Sequence, residues 1–291
     1  MMIVTLVVLN YRDTKGSERV CQLAKNISCI NYVIIVDNAS NDGSYERLSS
    51  LNSDRVKVVE SGKNGGYSYG YNYGLKIAEK LHTDYVFVCN SDNIYDGALI
   101  EGCVNFLQNN GTCGAVSARQ FDASGKENIS AWDFPSYKED LLFCFQFYRK
   151  YFYKGNHGKE VKGAYQKVDA LSGSFTCFRM SALGEAGMYD EKVFLYNEEN
   201  IISKRLKKRG FDTYRLNNYS YIHDHKRKRG VQEVDYKKIM QTLRSGYYYQ
   251  THYNDIKGGK KLLFYISVHI GGIEIFLVNI VKKVIRCRRT H

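Results

Sequence analysis

The stretch IVTLVVLNYR, from Ile3 to Arg12, is a run of apolar, β-favouring residues that ends abruptly in polar ones. An apolar run that does not alternate with polar residues is typical of a strand covered on both faces. The pattern returns three times within the first 90 residues, at YVIIV (Tyr32–Val36), VKVV (Val56–Val59) and YVFVC (Tyr85–Cys89).

Helical patterns follow these apolar runs, near Ser17–Asn26, Tyr67–Leu81 and Asp96–Gln108, and a further helix opens around Asp42–Ser44. Alternation of strands and helices with short connections predicts an α/β fold with a Rossmann-like, mostly parallel sheet flanked by helices. The alternation weakens after about Gly114, where the chain becomes aromatic and irregular. We expect one domain over residues 1–230 and a helical, basic extension over 231–291.

The composition excludes several classes of protein. With 44% hydrophobic and 25% charged residues in 291, the chain is neither collagen-like nor disordered. The eight cysteines are scattered without a CxxC pair, which is typical of a reducing compartment and argues against a zinc site. The N-terminal sequence lacks a basic leader and a small-residue cleavage site, so we expect no signal peptide.

A formal net charge of +12 suggests an anionic partner, which could be nucleic acid, a phosphorylated substrate or a membrane surface. Two segments carry the excess. Residues 204–229 contain ten Lys or Arg and two Asp, and residues 257–291 contain eight Lys or Arg and one Glu. The remaining chain has more acidic than basic residues, so the predicted sheet is not a platform for nucleic acid.

Polar loops follow the four predicted strands. In a doubly wound sheet, ligands bind beyond the carboxyl ends of the strands, and the carboxylates and amides of these loops suit the hydroxyls and base edges of a nucleotide. The chain has neither GxGxxG after the first strand nor a GxxxxGK[ST] loop, which argues against a dinucleotide or P-loop protein. The four loops are Asn10-Tyr11, Asp37–Ser44, Asn64–Tyr67 and Asn90–Asn93.

The loop Asn90-Ser91-Asp92 presents two oxygen-bearing side chains at positions i and i+2. Both can address one hard cation and its phosphates, because Mg²⁺ and Mn²⁺ prefer oxygen ligands and keep substrate phosphates in their shell. The alternative is a plain turn in which Asn93 or Asp96 caps the next helix.

Several motifs, taken in order, resemble the family-2 glycosyltransferases of GT-A fold, and the rhamnosyltransferase-like branch that builds bacterial surface polysaccharides is the nearest. The resemblance covers about the first 225 residues. It implies an inverting enzyme that moves a sugar from a UDP- or dTDP-sugar to a hydroxyl of a lipid-linked glycan, with Mg²⁺ or Mn²⁺. The motifs are NYR, VDNASNDGS, NGGYSYGYNYG, CNSDN, SGSFTCFRMSALGEAGMYDEKVFLYNEEN and YIHDH.

The resemblance implies a role for particular residues. Asp37 corresponds to the aspartate that hydrogen-bonds the nucleotide base, and Asp92 to the metal ligand. Asn90 replaces the first aspartate of the family's Asp-x-Asp motif, which removes one charge and weakens the expectation of strict metal dependence. The whole nucleotide-sugar pocket is expected to comprise Asn10, Tyr11, Asp37, Asn64, Gly65, Asn72, Asn90 and Ser91.

Inverting transfer needs a carboxylate that deprotonates the acceptor hydroxyl. Glu198 and Glu199 stand where the family has an acidic pair, and Glu199 holds the position that usually carries the base. The alternative is that both glutamates only complement the dipole of the helix that follows. We expect Ser172-Gly173-Ser174-Phe175 to form a strand or turn on the acceptor side.

His223 corresponds to a histidine that approaches the metal or the diphosphate from a late loop. A lone histidine is often structural, and His225 competes for the role. The basic run Lys226–Arg229 could close over the diphosphate or simply form a solvated or membrane-facing loop.

The segment Leu262–Val281 holds fourteen apolar residues in twenty and has basic flanks. Ser267, Glu274 and other polar residues interrupt it, which favours a helix lying on an anionic membrane over one that spans the bilayer. We therefore expect a cytoplasmic protein, peripheral at the inner face of the cell membrane. The alternative is a helix packed on the catalytic domain or on a second copy in a homo-oligomer.

Two other functions remain open at this point. A sugar-nucleotide nucleotidyltransferase would need a glycine-rich basic signature after the first strand, which NYRDTKGSER matches poorly. The second is a basic protein that binds membranes or nucleic acid without transferase activity. The clustering of its charge outside the strand-end loops argues against the nucleic-acid form. We expect no nucleic-acid partner.

Overall fold

The computed structural model describes residues 2–153, 158–224 and 236–289, with side chains up to residue 282. These residues form two compact units. The described residues of the first, the sheet unit, fall within Met1–Asp133, Asn156–Phe194 and Glu198–Lys226. Those of the second, the helical unit, fall within Phe134–Gly155, Leu195–Asn197 and Arg227–His291. The predicted boundary at residue 230 lies outside the described residues, and the sequence did not indicate that residues 134–153 group with the C-terminal helices.

The sheet unit is built on a mixed sheet in the order β3-β2-β1-β4-β11-β6-β12-β5, with β7 paired to β6, β9 to β12, and a separate pair β8 and β10. The first four strands are those predicted from the apolar runs. The strands are β1 (Val4–Asn10), β2 (Tyr32–Asp37), β3 (Val56–Glu60), β4 (Tyr85–Asn90), β5 (Asn93–Ile94), β6 (Cys113–Phe121), β7 (Glu127–Asn128), β8 (Ala131–Trp132), β9 (Tyr165–Val168), β10 (Ala170–Leu171), β11 (Phe175–Arg179) and β12 (Asp212–His223).

The helices divide between the two units. Those of the sheet unit are α1 (Thr14–Lys25), α2 (Ser44–Ser49), α3 (Gly66–Lys80), α4 (Gly97–Asn109), α7 (Met180–Glu185) and α8 (Glu198–Lys208). Those of the helical unit are α5 (Tyr137–Phe143), α6 (Gln146–Tyr151), α9 (Tyr236–His252) and α10 (Gly258–Arg289).

The order of the strands creates a topological switch beside β1. This strand pairs in parallel with β2 on one side and with β4 on the other, and β2 continues to β3 away from β4. Successive strands are therefore added on opposite sides of β1. The loops that follow them diverge at the carboxyl end of β1 and leave a crevice there. Beyond β4 the parallel order ends, because β11 lies antiparallel between β4 and β6.

Both faces of the sheet are buried, which explains the unbroken apolar runs. In β1, Leu6 and Val8 belong to one hydrophobic cluster and Val7 and Leu9 to the other. Side chains of β2 and β4 alternate between the two clusters in the same way. Burial on both sides favours apolar residues at most positions of β1, β2 and β4, so the prediction of a covered α/β sheet is confirmed.

Two glycines let α3 approach its neighbours closely. Gly66 begins the helix with φ of +81°, and a Cβ there would lie 1.8 Å from the carbonyl oxygen of Phe194. Gly74 faces the sheet, and a Cβ there would lie 2.4 Å from Val7 Cγ1 and 2.9 Å from Val36 Cγ2. The glycines thus set how near the third helix lies to the strands that carry the first two loops.

The helical unit has a small core of its own, built from Cys144, Met240, Leu243, Phe264 and Val268. The polar residues that interrupt the apolar pattern of α10 make hydrogen bonds on the side of the helix that faces this core. Glu274 Oε2 accepts a hydrogen bond of 2.7 Å from the backbone N–H of Gln146, and Ser267 Oγ donates to the carbonyl of Leu263 at 2.9 Å. A Cβ on Gly271 would lie 2.1 Å from the Cys144 carbonyl oxygen.

The outer face of α10 is apolar and exposed. Leu262, Ile266, Ile273 and Leu277 recur at helical spacing, and each is 44–60% exposed. By length and composition alone, residues Gly258–Lys282 could cross a membrane. Because one side of the helix packs on the core of the unit, the apolar surface is one-sided.

We expect Gly74→Ala to destabilise the protein, because the added methyl overlaps Val7 and Val36 in a packed interface. The free energy of unfolding should fall by about 1–3 kcal/mol. Gly184→Ala is the matched control, since it also lies in a helix and no atom lies within 4 Å of its Cβ position. It should leave stability unchanged or raise it by up to about 1 kcal/mol. Equal unfolding curves for both variants in urea would contradict this packing.

Candidate active site

The loops after β1 and β2 are joined by buried side chains. Asn10 Nδ2 donates to Asp37 Oδ1 at 2.5 Å, and Asn10 Oδ1 accepts from Ser17 Oγ at 2.8 Å. Asp37 also accepts from the hydroxyl and the backbone N–H of Ser40, at 2.6 and 2.9 Å. Asn10 and Asp37 are 0% and 1% exposed, so they form the floor of the site, whereas Tyr11 is exposed above them.

The loop after β3 joins the same edge through Asn38. Its Nδ2 donates to Asn64 Oδ1 at 3.2 Å and to the Gly66 carbonyl at 3.1 Å. Gly65 is the residue before α3. Asn72 lies one to two turns into this helix. Its Nδ2 donates to the Tyr189 carbonyl at 3.0 Å and to Glu191 Oε1 at 2.9 Å, and its Oδ1 accepts from the Tyr189 N–H at 3.0 Å. Asn72 therefore fastens α3 to the segment that precedes the acidic pair.

The loop after β4 is joined to the loop after β1. Ser91 Oγ donates to Asp13 Oδ2 at 2.7 Å, while Asp13 Oδ1 caps α1 by accepting from Gly16 N–H. Tyr71 OH donates to Asn90 Oδ1 at 2.7 Å, and burial raises the pKa of Tyr71, so the phenol stays protonated. The oxygen of Asn90 thus accepts from Tyr71, and its amide N–H groups can donate to a ligand.

Asp92 and His223 form a pair at the same edge, with 3.0 Å between Asp92 Oδ1 and His223 Nε2. Their side chains are 22% and 20% exposed. Among residues 2–153, 158–224 and 236–289, no three His, Cys, Asp or Glu side chains are grouped as metal ligands. A cation of the Mg²⁺ type often takes only one or two carboxylates and completes its shell with substrate phosphates and water, so the accessible Asp92 carboxylate fits one.

The segment Ser172–Ser174 links the Asp92 loop to the acidic pair. The Ser174 carbonyl accepts from the backbone N–H of Asn90 at 2.9 Å and from Asn93 Nδ2. On its other side, a Cβ on Gly173 would lie 3.0 Å from Glu199 Cγ. A Cβ there would crowd the Glu199 side chain, so the glycine gives Glu199 room beside the strand-end loops.

Glu198 and Glu199 begin α8, and their environments differ. Burial raises the pKa of both carboxyls, and the charge of Glu199 raises the pKa of Glu198 further. The backbone N–H of Gly173 bonds the Glu199 carboxylate and lowers its pKa in part. Glu198 is 8% exposed, and its Oε2 has no hydrogen-bond partner in the described part of the chain. The pair therefore favours one charge, carried by Glu199, with Glu198 protonated.

Residues with left-handed backbone gather in the first two loops. Of the eight described non-glycine residues with positive φ, three lie there: Arg12, Ala39 and Asn41, with φ of 58°, 53° and 52°. Such conformations cost about 1–3 kcal/mol each in residues other than glycine and cluster at functional sites. Their placement agrees with a site built on these loops.

Beyond the strand-end loops, one aromatic residue contacts the helix that carries the acidic pair. Trp132 Nε1 donates to Asn200 Oδ1 at 2.9 Å, which fixes the indole against α8. His225 and Lys226–Arg229 lie outside the described residues. Sequence reasoning missed Asp13, although an aspartate before a helical segment is a known capping signal. It also missed Gln120, which contacts His223 from a strand 103 residues away and has no local signal.

Comparison with known proteins identifies the family. Residues 19–187, more than half of the chain, match the family model described as glycosyl transferase family 2. The chain belongs to this family. The resemblance seen in the sequence motifs is therefore confirmed.

Relatives and solved structures agree with this membership. This family 2 protein is 25% identical over 190 residues to an N-acetylglucosaminyl-diphospho-decaprenol L-rhamnosyltransferase of Mycobacterium tuberculosis, an alignment that covers 62% of each chain. TarS of S. aureus with UDP-GlcNAc superposes with a TM-score of 0.57 at 15% identity, over 89% of this chain and 69% of that one. The mannosyltransferase PcManGT of Pyrobaculum calidifontis, with GDP-Man and Mn²⁺, gives 0.56 at 16% identity, over 95% and 70%. These structures show the GT-A fold.

The buried pair predicts a pH dependence of stability in this family 2 protein. Between the unfolded pKa of Glu198, about 4.3, and its raised folded value, the folded state binds more protons. The free energy of unfolding therefore falls as pH rises, by about 1.4 kcal/mol for each unit by which the pKa is raised. Glu198→Gln should flatten the fall of the thermal midpoint between pH 5 and pH 8. The exposed Glu185→Gln should keep the wild-type profile, and equal profiles for all three proteins would count against the buried pair.

Proposed function

We propose that the protein is an inverting glycosyltransferase that moves a sugar from a nucleoside diphosphate sugar to a hydroxyl of a glycan. The observation that carries the proposal is the placement of Glu199. Within the sheet unit, this carboxylate packs on Gly173, and the adjacent Ser174 carbonyl anchors the loop that holds Asp92. One side of the site thus offers a base, and the other offers polar groups for a diphosphate.

The nucleotide lies over the loops after β1, β2 and β3 in this proposal. Asn10 and Asp37 are buried and support the loops that contact the base. Tyr11 is exposed, and its ring can pack against the nucleotide. Asn64 and Gly65 line the opposite side, at the start of α3. Asn90 presents its amide N–H groups to ribose or phosphate oxygens, while its oxygen accepts from Tyr71.

Asp92 is the residue that would hold Mg²⁺ or Mn²⁺ through its carboxylate. Such a cation offsets negative charge on the leaving diphosphate. PcManGT, whose structure contains GDP-Man and Mn²⁺, has the same fold, which supports a divalent metal here. Ser91 and Asp13 hold the loop in place, so the position of the Asp92 carboxylate relative to the donor is fixed before substrate binds.

Glu199 acts as the base. The acceptor O–H bond breaks as the proton passes to the Glu199 carboxylate, and the oxygen forms a bond to the anomeric carbon. The bond from that carbon to the diphosphate oxygen breaks on the opposite face, and its electron pair leaves with the nucleoside diphosphate. Burial raises the pKa of Glu199, which brings its basicity nearer to neutral pH. Protonated Glu198 avoids a second charge in the same pocket.

We propose further that the acceptor is lipid-linked and that the helical unit binds an anionic membrane. The rhamnosyltransferase relative is named for a diphospho-decaprenol substrate, which supports such an acceptor. The outer stripe of α10 begins beside exposed Lys257, Lys260 and Lys261, and α6 adds the exposed aromatic rings of Phe147 and Tyr151. Apolar side chains flanked by cations suit a helix that lies in the headgroup region.

Glu199→Gln should abolish turnover and leave nucleotide binding within about twofold of wild type. Loss of a base that takes a proton in the transition state costs about a hundredfold or more in rate. The measurement is nucleoside diphosphate release from UDP-, dTDP- and GDP-sugars, supplied with bacterial membrane lipids and Mn²⁺. Glu185→Gln is the control and should retain full activity. Wild-type turnover by Glu199→Gln would exclude Glu199 as the base.

The triple variant Ile266→Ser, Ile273→Ser and Leu277→Ser should bind anionic phosphatidylglycerol vesicles at least about tenfold more weakly, because it removes most of the apolar stripe. Ile129→Ser with Val161→Ser is the control, since both residues are 42% exposed in the sheet unit. Cosedimentation at low and high salt measures binding. Unchanged cosedimentation, or a shift from dimer to monomer in solution, would instead assign the stripe to another role.

A further inference from the structure

The side chain of Asn72 bonds one short segment of the sheet unit, residues 187–191. Its amide exchanges two hydrogen bonds with the backbone of Tyr189, much as a neighbouring strand would, and donates a third to Glu191. The two protons on Nδ2 thus both have acceptors. Asn72 is 4% exposed, so water does not replace these bonds readily.

Helix α8 holds the same segment through Arg205. The Nη1 of this residue donates to the carbonyls of Gly187 and Met188 at 3.0 and 2.8 Å, and its Nη2 lies 3.3 Å from Asp190 Oδ2. The Asp190 side chain is 9% exposed, which shields the ion pair from water. Residues 187–191 are therefore bonded to α3 by one side chain and to α8 by another.

The ring of Tyr189 connects this segment to the candidate active site. It stacks on Tyr71 with 5.8 Å between the ring centroids, and Tyr71 OH donates to Asn90 Oδ1. Burial raises the pKa of Tyr189, and the charges of Glu199 and Glu198 raise it further, so both carboxyls lie within electrostatic range of the phenol. A displacement of Tyr189 would thus be transmitted to the acidic pair.

We propose that Asn72 is a positioning residue that places Glu199 by fixing residues 187–191, and that it does not contact the nucleotide. The proposal deepens the proposed function, on which it rests for the role of Glu199 as the base. It differs from the place in the nucleotide pocket that the sequence suggested for Asn72, because the amide has its protons on Tyr189 and Glu191. A base displaced by about 1 Å can lose about a hundredfold in rate.

Asn72→Ala and Asn72→Asp test the proposal in the full chain. Alanine removes all three hydrogen bonds, whereas aspartate keeps the shape and accepts from the Tyr189 N–H but cannot donate to the carbonyl. We expect both variants to lower kcat at least about tenfold and to leave KM for the donor and the affinity for UDP and dTDP within about twofold of wild type. Nucleoside diphosphate release from UDP- and dTDP-sugars, with Mn²⁺ and bacterial membrane lipids, measures turnover, and calorimetry measures the two affinities.

Asn217→Ala is the matched control. Asn217 is 5% exposed, its Nδ2 donates to the carbonyls of Lys162 and Gly163 at 3.0 Å each, and its Oδ1 accepts from Arg215 Nε at 2.9 Å. The substitution thus removes three hydrogen bonds of the same kind in the same unit. It should lower the thermal midpoint about as much as Asn72→Ala and leave kcat unchanged. An equal fall of kcat in both alanine variants would assign Asn72 a general role in stability and overturn the proposal.

Hydrogen exchange followed by mass spectrometry tests the contact independently of activity. We expect Asn72→Ala to speed exchange in residues 187–194 and in α8, and Asn217→Ala to speed it around residues 162–166. Unchanged exchange in residues 187–194, or a loss of nucleotide affinity larger than the loss of kcat, would overturn the proposal. A wild-type chain that releases no nucleoside diphosphate from any donor would instead contradict the proposed function, and the exchange result would still decide whether Asn72 holds the segment.

Discussion

The parallel pairing of β1 with both β2 and β4 is the constraint on which the site depends. The register places Asn10 opposite Asp37 and Leu9 opposite Asn90, so the polar residues that follow these strands start from the same level. The chain turns away from β1 on both sides, which opens a space at its carboxyl end. Side-chain bonds such as Ser91 to Asp13 then fix the loops around this space.

The second constraint is the placement of two carboxyls in a buried pocket. Ionising both would cost more than the pocket can offset, since the only backbone donor from another segment, among the described residues, goes to Glu199. One glutamate thus stays protonated while the other remains available as a base. Gly173 contributes to this division twice, because its N–H bonds Glu199 and its missing side chain leaves room for it.

The sheet and the strand-end loops could be predicted because their signals are local. Unbroken apolar runs marked β1 to β4, and polar residues marked the ends of these strands. Gln120 could not be found in this way, since it meets His223 only through the pairing of β6 with β12. The inward role of Glu274 was equally hidden, because its partner, the Gln146 N–H, is 128 residues away. That contact explains how a helix with a central glutamate keeps an apolar outer face.

Binding of UDP and dTDP to the purified chain, measured by calorimetry with Mn²⁺ and with EDTA, tests the central claim most directly. A nucleotide-sugar site at the carboxyl end of β1 predicts binding of at least one of the two nucleotides with Mn²⁺, and loss of at least about tenfold in affinity for Asp92→Ala. Absence of binding under every condition, together with salt-sensitive binding to RNA or DNA, would contradict the account and favour a basic nucleic-acid-binding protein.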